Sequence, residues 1–227
     1  MRYSISFALM MLSCFVVTVP AQSAEGEVKN PSLRWEKDIA KFRAADAKEK
    51  PAEGQVVFVG SSSIKLWDLP KYFPEREEEL INRGFGGSKI EDSVYYADQI
   101  VTPLKPRTVV FYAGDNDIAS KYTPERVAAD FQRFTTKIHD KLPKTKVVFI
   151  AIKPSISRWK IVDNVRAANR LIAEICAADE RMEFVDIDGP MLGEDGTPDP
   201  KLFVKDGLHL SDAGYKLWVS LVSPHLD

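Results

Sequence analysis

The chain has 227 residues, of which 44% are hydrophobic and 28% are charged, and its formal net charge is -2. This length suits one domain with a single hydrophobic core, and the composition is ordinary for a soluble globular protein. A net charge so close to neutral gives no electrostatic case for nucleic acid, which would need a clustered basic face, so we expect no nucleic-acid partner.

The first 24 residues have the pattern of a secretory signal peptide. Arg2 supplies a positive charge, residues 5–19 are almost wholly apolar, and residues 20–24 offer small side chains for cleavage. The apolar run is too short for a comfortable membrane span. We therefore expect an exported protein, periplasmic or secreted, with no stable membrane span after cleavage. An uncleaved N-terminal anchor is the alternative, and the cleavage position stays open.

Residues 25–54 are interpreted as a linker and an N-terminal helix, and residues 55–227 as one α/β domain. The helix is predicted from Pro31 onward, because Trp35, Ile39 and Phe42 recur at helical spacing. Cys176 is the one cysteine left after the leader. It lies in an apolar helical pattern, so we expect a buried thiol without a disulfide.

Five short apolar runs in the domain are typical of buried parallel strands. They cover residues 56–59, 80–81, 108–112, 146–152 and 184–187. Helical patterns separate them, including one that Thr123 should cap with Pro124 in its first turn, and another from Ile161 to Ile175. This alternation predicts an α/β fold with helices on both faces of a five-stranded parallel sheet. Ligands of such sheets bind beyond the carboxyl ends of the strands.

His209 is the strongest general-base candidate among the three histidines. His139 lies on a helix and is expected at the surface, while His225 is two residues from the C-terminus. His209 precedes the final helix, and Asp206 stands three residues before it. A carboxylate in that position can orient the imidazole and stabilise its charged form. A purely structural histidine that bonds its own loop is the alternative.

A serine turn follows the first predicted strand. Gly60 ends the apolar run, and Ser61, Ser62 and Ser63 lead into a short helical pattern. A serine hydroxyl there is exposed and faces backbone N–H groups, which suits a nucleophile. An ordinary helix N-cap is the alternative, because serine is favoured at that position.

Four blocks, in order from Val56 to Leu210, resemble the SGNH, or GDSL-like, hydrolases. The residues that carry the resemblance are Gly60-Ser-Ser-Ser-Ile64, Asn82-Arg-Gly-Phe-Gly-Gly-Ser88, Gly114-Asp-Asn-Asp117 and Asp206-Gly-Leu-His209. The resemblance implies a flavodoxin-like three-layer α/β/α sandwich and a serine esterase that needs no cofactor and no metal. It assigns Ser62, His209 and Asp206 as catalytic residues. It further implies that the backbone N–H groups of Ser62 and Gly87 and the amide of Asn116 form the oxyanion hole.

Two departures bear on this assignment. Ser61 stands where the family has aspartate; serine can still hydrogen-bond locally but carries no charge, so the change is expected to reduce or alter activity. A frame shifted by one residue would make Ser63 the nucleophile, but Gly60 at the end of the strand favours Ser62. Arg83, Arg158 and Trp159 lie near strand ends and are candidates for substrate binding.

Two other functions compete with this interpretation. A metal-dependent hydrolase would use Asp115, Asp117, Asp206 and His209 as ligands. An exported carbohydrate- or lipid-binding module would keep the fold with a degenerate site, as the change at Ser61 suggests. The sequence favours a small-molecule, glycan or lipid ester as the substrate, with small acyl groups preferred, and does not indicate an oligomeric state.

Overall fold

The computed structural model describes residues 30–227, so the predicted leader lies outside the described residues. Residues 31–227 form one compact unit. A 3₁₀ turn, Pro31–Trp35, opens it and continues into α1, Glu36–Lys48, whose Ile39 is fully buried in the core. The N-terminal helix is therefore built into the same unit as the sheet.

The sheet has five parallel strands in the order β2-β1-β3-β4-β5. Its strands are β1 Val56–Gly60, β2 Leu80–Gly84, β3 Thr108–Tyr112, β4 Lys146–Ile150 and β5 Met182–Val185. This order is that of flavodoxin-like folds, and it places the topological switch point at the carboxyl ends of β1 and β3. The predicted fold class is confirmed.

Eight α-helices occur in the described part of the chain. After α1 they are α2 Ser62–Lys65, α3 Leu69–Tyr72, α4 Ile90–Ile100, α5 Asp115–Ala119, α6 Pro124–Lys141, α7 Val162–Ala177 and α8 Asp212–Val222. Thr123 Oγ1 accepts a hydrogen bond from the Arg126 N–H, so the predicted cap of α6 is confirmed. The Cys176 thiol is buried, as expected, and burial raises its pKa to about 12.

Two hydrophobic cores cover the two faces of the sheet. Ile39, Ile90, Phe131 and Ile172 bring α1, α4, α6 and α7 to one face. Ile64, Trp67, Tyr215 and Trp218 bring the nucleophile turn and α8 to the other face. Since both faces are covered, the central strands are apolar on both sides and read as unbroken hydrophobic runs.

Three strands differ from their predicted bounds by two residues or more. β2 extends to Gly84, because each of its residues pairs with β1 despite its polar composition. β4 ends before Ile152, whose backbone N–H and C=O are bonded by the side chain of Asn169 instead of by a strand. β5 is shifted two residues earlier at both ends, because Met182 pairs with Val147 of β4 and the last pair joins Val185 to Ile150.

Candidate active site

Gly60 sets the geometry of the turn that presents Ser62. Its φ of 143° is unfavourable for other residues, and a Cβ there would lie 1.8 Å from the Tyr112 carbonyl oxygen. The Ser61 N–H donates to that same oxygen at 3.0 Å, which ties the turn to the end of β3. Ser62 then opens α2 as its first helical residue. The chain therefore reverses sharply at the carboxyl end of β1 with Ser62 at its apex.

Ser62, His209 and Asp206 lie in a continuous line of hydrogen bonds. Ser62 Oγ lies 3.0 Å from His209 Nε2, and His209 Nδ1 lies 2.6 Å from Asp206 Oδ2. A carboxylate only accepts, so Nδ1 carries the proton and the lone pair of Nε2 faces the serine hydroxyl. This tautomer allows the imidazole to accept the Ser62 proton.

Asp206 is held ionised by three donors. Its Oδ1 accepts the N–H groups of Leu208 at 2.8 Å and His209 at 2.9 Å, while Oδ2 bonds the imidazole. These bonds, with that to the His209 ring the largest cause, lower the pKa of Asp206 to about 2. The carboxylate is thus fixed in position and charged at neutral pH, as orientation of an imidazole requires.

Ser63 points away from the imidazole. Its hydroxyl oxygen is buried and accepts a hydrogen bond from Lys153 Nζ at 3.2 Å, and its carbonyl accepts one from the Tyr215 hydroxyl at 2.9 Å. Of the two serines that the sequence left open, Ser62 is the one in contact with His209.

The side chain of Ser61 makes no local hydrogen bond in the described residues. Its Oγ is fully buried and has no hydrogen-bond partner among the described residues. The turn uses the backbone of Ser61 rather than its hydroxyl, and the effect of this residue on activity stays a prediction. The position occupied by aspartate in the family is therefore neutral and unpaired here.

The predicted oxyanion residues come from the loops that follow β2 and β3. Gly87 is exposed, with a φ of 77°, and a Cβ on its neighbour Gly86 would lie 3.8 Å from the Cβ of Ser62. Asn116 lies in the first turn of α5, and its Nδ2 donates to the Ser88 carbonyl oxygen at 3.0 Å. The glycine loop and Asn116 are thus bonded to each other beside the serine turn.

Lys153, Asp115 and Arg158 form a buried charged cluster beside the serine turn, which the sequence did not predict. Lys153 Nζ donates to Tyr112 Oη at 2.9 Å and to Asp115 Oδ2 at 3.2 Å, in addition to Ser63. Arg158 Nη1 lies 3.1 Å from the same Asp115 oxygen. Burial alone would raise the pKa of Asp115, but the two cations outweigh it and hold the pKa below its usual value. The signal available was the position of Lys153 just beyond β4.

The three candidate substrate-binding residues have different surroundings. Arg158 reaches the site, where its two amino groups contact Asp115 and Asn116. Arg83 turns toward α1: its buried guanidinium pairs with Asp46 and lies over the ring of Phe42, and its role toward a substrate stays a prediction. A buried ion pair with α1 explains that position.

Trp159 is half-buried, and the guanidinium of Arg166 lies 5.4 Å from the centre of its ring. Arg166 in turn pairs with Asp188 at 2.9 Å. This contact places Trp159 against α7, and its role toward a substrate stays a prediction.

The four alternative metal ligands are not gathered into one group. Asp115 faces Lys153 and Arg158, Asp206 faces His209, and Asp117 Oδ1 accepts the Ile90 N–H at 3.1 Å. Across residues 30–227, no three side chains of the usual ligand types cluster as they would around a metal ion. The same span contains no helix long and apolar enough to cross a membrane.

The model of the GDSL-like Lipase/Acylhydrolase family matches residues 68–217 of the chain. This match covers Gly87, Asn116, Asp206 and His209, and begins after the Ser62 turn. No curated protein of similar sequence matches the chain.

Several solved structures share the fold. A GDSL-like lipase from Bacteroides thetaiotaomicron is 24% identical, with a TM-score of 0.65, covering 86% of this chain and 97% of that one. An acetyl-xylooligosaccharide esterase variant from Geobacillus Stearmophilus is 15% identical, with a TM-score of 0.63, covering 78% and 96%. A Streptococcus pneumonia protein, provisionally described as a platelet activating factor, is 20% identical, with a TM-score of 0.76, covering 86% and 94%.

Fold, site and family match together define an ester-bond hydrolase of the three-layer α/β class. The chain belongs to the GDSL-like Lipase/Acylhydrolase family, as its sequence blocks indicated.

Proposed function

We propose that this hydrolase is a serine esterase that works through an acyl-enzyme on Ser62. The observation that carries the proposal is the 3.0 Å contact between Ser62 Oγ and His209 Nε2. His209 takes the hydroxyl proton as Ser62 Oγ attacks the ester carbonyl carbon. The carbonyl π bond breaks, and its electron pair becomes the oxyanion of a tetrahedral intermediate.

The oxyanion is stabilised by donors that are already in place. The N–H groups of Ser62 and Gly87 and the Nδ2 of Asn116 fill this role, since their loops meet beside the serine turn. The intermediate then collapses, the ester C–O bond breaks, and His209 returns the proton to the leaving alkoxide. Donors fixed before the reaction stabilise the transition state without reorganisation cost.

Water completes the cycle. His209 deprotonates a water molecule, which attacks the acyl carbon, and the second intermediate releases the carboxylic acid as the proton returns to Ser62 Oγ. Asp206 stays ionised throughout and stabilises the imidazolium at each proton transfer, consistent with its lowered pKa.

The proposed substrate carries a small acyl group on a soluble or polysaccharide carrier. Gly87 is exposed and Asp206 retains 48% of its side-chain exposure, so the site opens directly onto the surface. An open site admits a bulky carrier more readily than a closed one. The leader pattern supports an exported enzyme, in the periplasm or the medium.

A second candidate is an exported carbohydrate- or lipid-binding module with a degenerate hydrolase site. The neutral, unpaired Ser61 favours it, because a charge that normally supports the nucleophile turn is missing. Binding of an oligosaccharide or lipid without turnover of any ester would support this candidate.

The deciding experiment is hydrolysis of p-nitrophenyl esters from acetate to octanoate by wild type, Ser62→Ala and Ser63→Ala. We expect wild type to prefer the shortest chains and Ser62→Ala to lose turnover. Ser63→Ala should keep most activity, because its hydroxyl faces Lys153 instead of His209. Full activity in Ser62→Ala, or none in wild type on any ester, would refute the proposal.

A further inference from the structure

Arg158 lies between two residues of the third sequence block. Its Nη2 donates a 2.9 Å hydrogen bond to Asn116 Oδ1, and its Nη1 forms the ion pair with Asp115 Oδ2 at 3.1 Å. The side chain retains 20% of its exposure. The guanidinium therefore spans from the turn after β4 to the start of α5, with a hydrogen bond through Nη2 and an ion pair through Nη1.

This contact determines which way the Asn116 carboxamide faces. A guanidinium has donors only, so it can bond the amide oxygen but not the amide nitrogen. Nδ2 must then lie on the opposite side, where it donates to the Ser88 carbonyl oxygen at 3.0 Å. One of its two hydrogens is used by Ser88. The second is not used by Ser88.

Arg158 is itself anchored in the core. Asp115 Oδ2, its ion-pair partner, also accepts from Lys153 Nζ at 3.2 Å, and Lys153 is 1% exposed. The chain of contacts thus runs from Lys153 through Asp115 and Arg158 to Asn116. These contacts restrict the rotation of Arg158 and keep its Nη2 directed at Asn116 Oδ1.

We propose that Arg158 is a positioning residue of the oxyanion hole: it holds the Asn116 carboxamide with an N–H facing the reacting carbonyl oxygen. This inference rests on the proposed function, since it requires Asn116 to stabilise an oxyanion. It assigns Arg158 an effect on kcat rather than on substrate affinity, because the donor acts most strongly in the transition state.

A double-mutant cycle tests this role with Arg158→Met, Asn116→Ala and the double variant on p-nitrophenyl acetate. We expect Asn116→Ala to lower kcat by about 10²–10³-fold. Arg158→Met should lower kcat roughly tenfold, with KM changed by less than about twofold. In the Asn116→Ala background it should cost less than about twofold more, because no carboxamide remains to be oriented.

Arg181→Met is the matched control. Arg181 pairs with Asp179 at 2.5 Å and directly precedes β5. It therefore lies at the amino-terminal end of a strand, away from the carboxyl ends where the site is built, and kcat should not change. Arg158→Lys keeps a charge beside Asp115 and should recover part of the lost kcat. Should Arg158→Met fail to fold by circular dichroism, Arg158→Lys takes its place in the cycle, with a smaller loss and the same dependence on Asn116.

Wild-type kcat in the Arg158 variants would overturn the inference. So would an equal loss with and without Asn116, which would mean a general structural role. Either result leaves the proposed function intact if wild type hydrolyses the ester and Ser62→Ala does not. Absence of ester hydrolysis in wild type would instead refute the proposed function, and the inference with it.

Discussion

His209 and Asp206 are joined twice: the imidazole Nδ1 lies 2.6 Å from one carboxylate oxygen, and the His209 backbone N–H lies 2.9 Å from the other. The three-residue separation lets one carboxylate bind both the ring and the backbone of the same residue. The ring is thereby oriented by a group that its own loop holds in place. Rotation of the imidazole away from Ser62 would break the Nδ1 bond.

Replacing Asp206 with Asn should leave the fold intact and nearly abolish turnover. The amide can no longer stabilise the imidazolium, and its N–H₂ group favours the wrong tautomer at Nδ1. We expect kcat to fall by about 10³–10⁴-fold. Steady-state kinetics on p-nitrophenyl acetate measure the loss of kcat, and circular dichroism of the variant checks that the fold is intact. A loss below about tenfold would contradict the assigned role.

The same variant should also change how stability depends on pH. The folded pKa of Asp206, about 2, is below its unfolded value of about 3.9. Its contribution to the free energy of unfolding is therefore present above pH of about 4 and is lost as pH falls toward 2. The difference in unfolding free energy between wild type and Asp206→Asn should shrink across that window. If this difference in unfolding free energy stays constant from pH 6 to pH 2, the pKa of Asp206 is not lowered by folding.

Gly60→Ala should disrupt the serine turn. The added methyl would collide with the Tyr112 carbonyl oxygen, and a φ of 143° strains any residue with a Cβ. We expect the free energy of unfolding to fall by about 3 kcal/mol or more. Gly54→Ala is the control, since its φ of 81° is also positive but its Cβ meets no atom within 4 Å.

That control should cost only about 1–2 kcal/mol, the strain of the left-handed backbone without the collision. Urea denaturation of both variants separates the two contributions. Equal losses at Gly60 and Gly54 would mean that the close approach to β3 contributes nothing.

Lys153→Met should be strongly destabilising. The buried ammonium has three partners, and its loss leaves Asp115 paired with Arg158 alone. Breaking a buried ion pair typically costs about 3–5 kcal/mol, and we expect a loss near the lower end. Lys216→Met removes an exposed pair with Asp212 and should change the free energy of unfolding little, because solvent screens that pair. If both variants lose the same free energy of unfolding in denaturant, the contacts of the buried Lys153 do not stabilise the fold as we predict.

Much of the fold could be predicted from the sequence, because strands buried on both faces leave unbroken apolar runs. Their ends were harder to place. Ile152 is as apolar as the strand before it, but the Asn169 side chain takes over its backbone hydrogen bonds. That contact joins residues 17 positions apart, so the sequence pattern around Ile152 could not predict it.

Ser62, Gly87 and Asn116 could be nominated because each stands just after a strand, where a parallel sheet brings them to one edge. Asp206 and His209 lie far beyond β5 and were nominated from their spacing before the last helix.

Side-chain direction could not be predicted. Arg83 sits near such an edge but turns toward α1, and its partner Asp46 lies 37 positions earlier. The cluster of Lys153, Asp115 and Arg158 likewise depends on contacts between loops, which no single motif contains.

The most direct test of the proposed mechanism is to locate the residue modified by a fluorophosphonate, using peptide mass spectrometry of wild type and His209→Ala. Attack by Ser62 displaces fluoride and leaves a stable phosphonate ester on its oxygen. We predict one adduct, on Ser62, formed rapidly in wild type and slowed at least about a hundredfold without the imidazole base. An adduct on Ser63, or rapid labelling of Ser62 that does not depend on His209, would contradict the account.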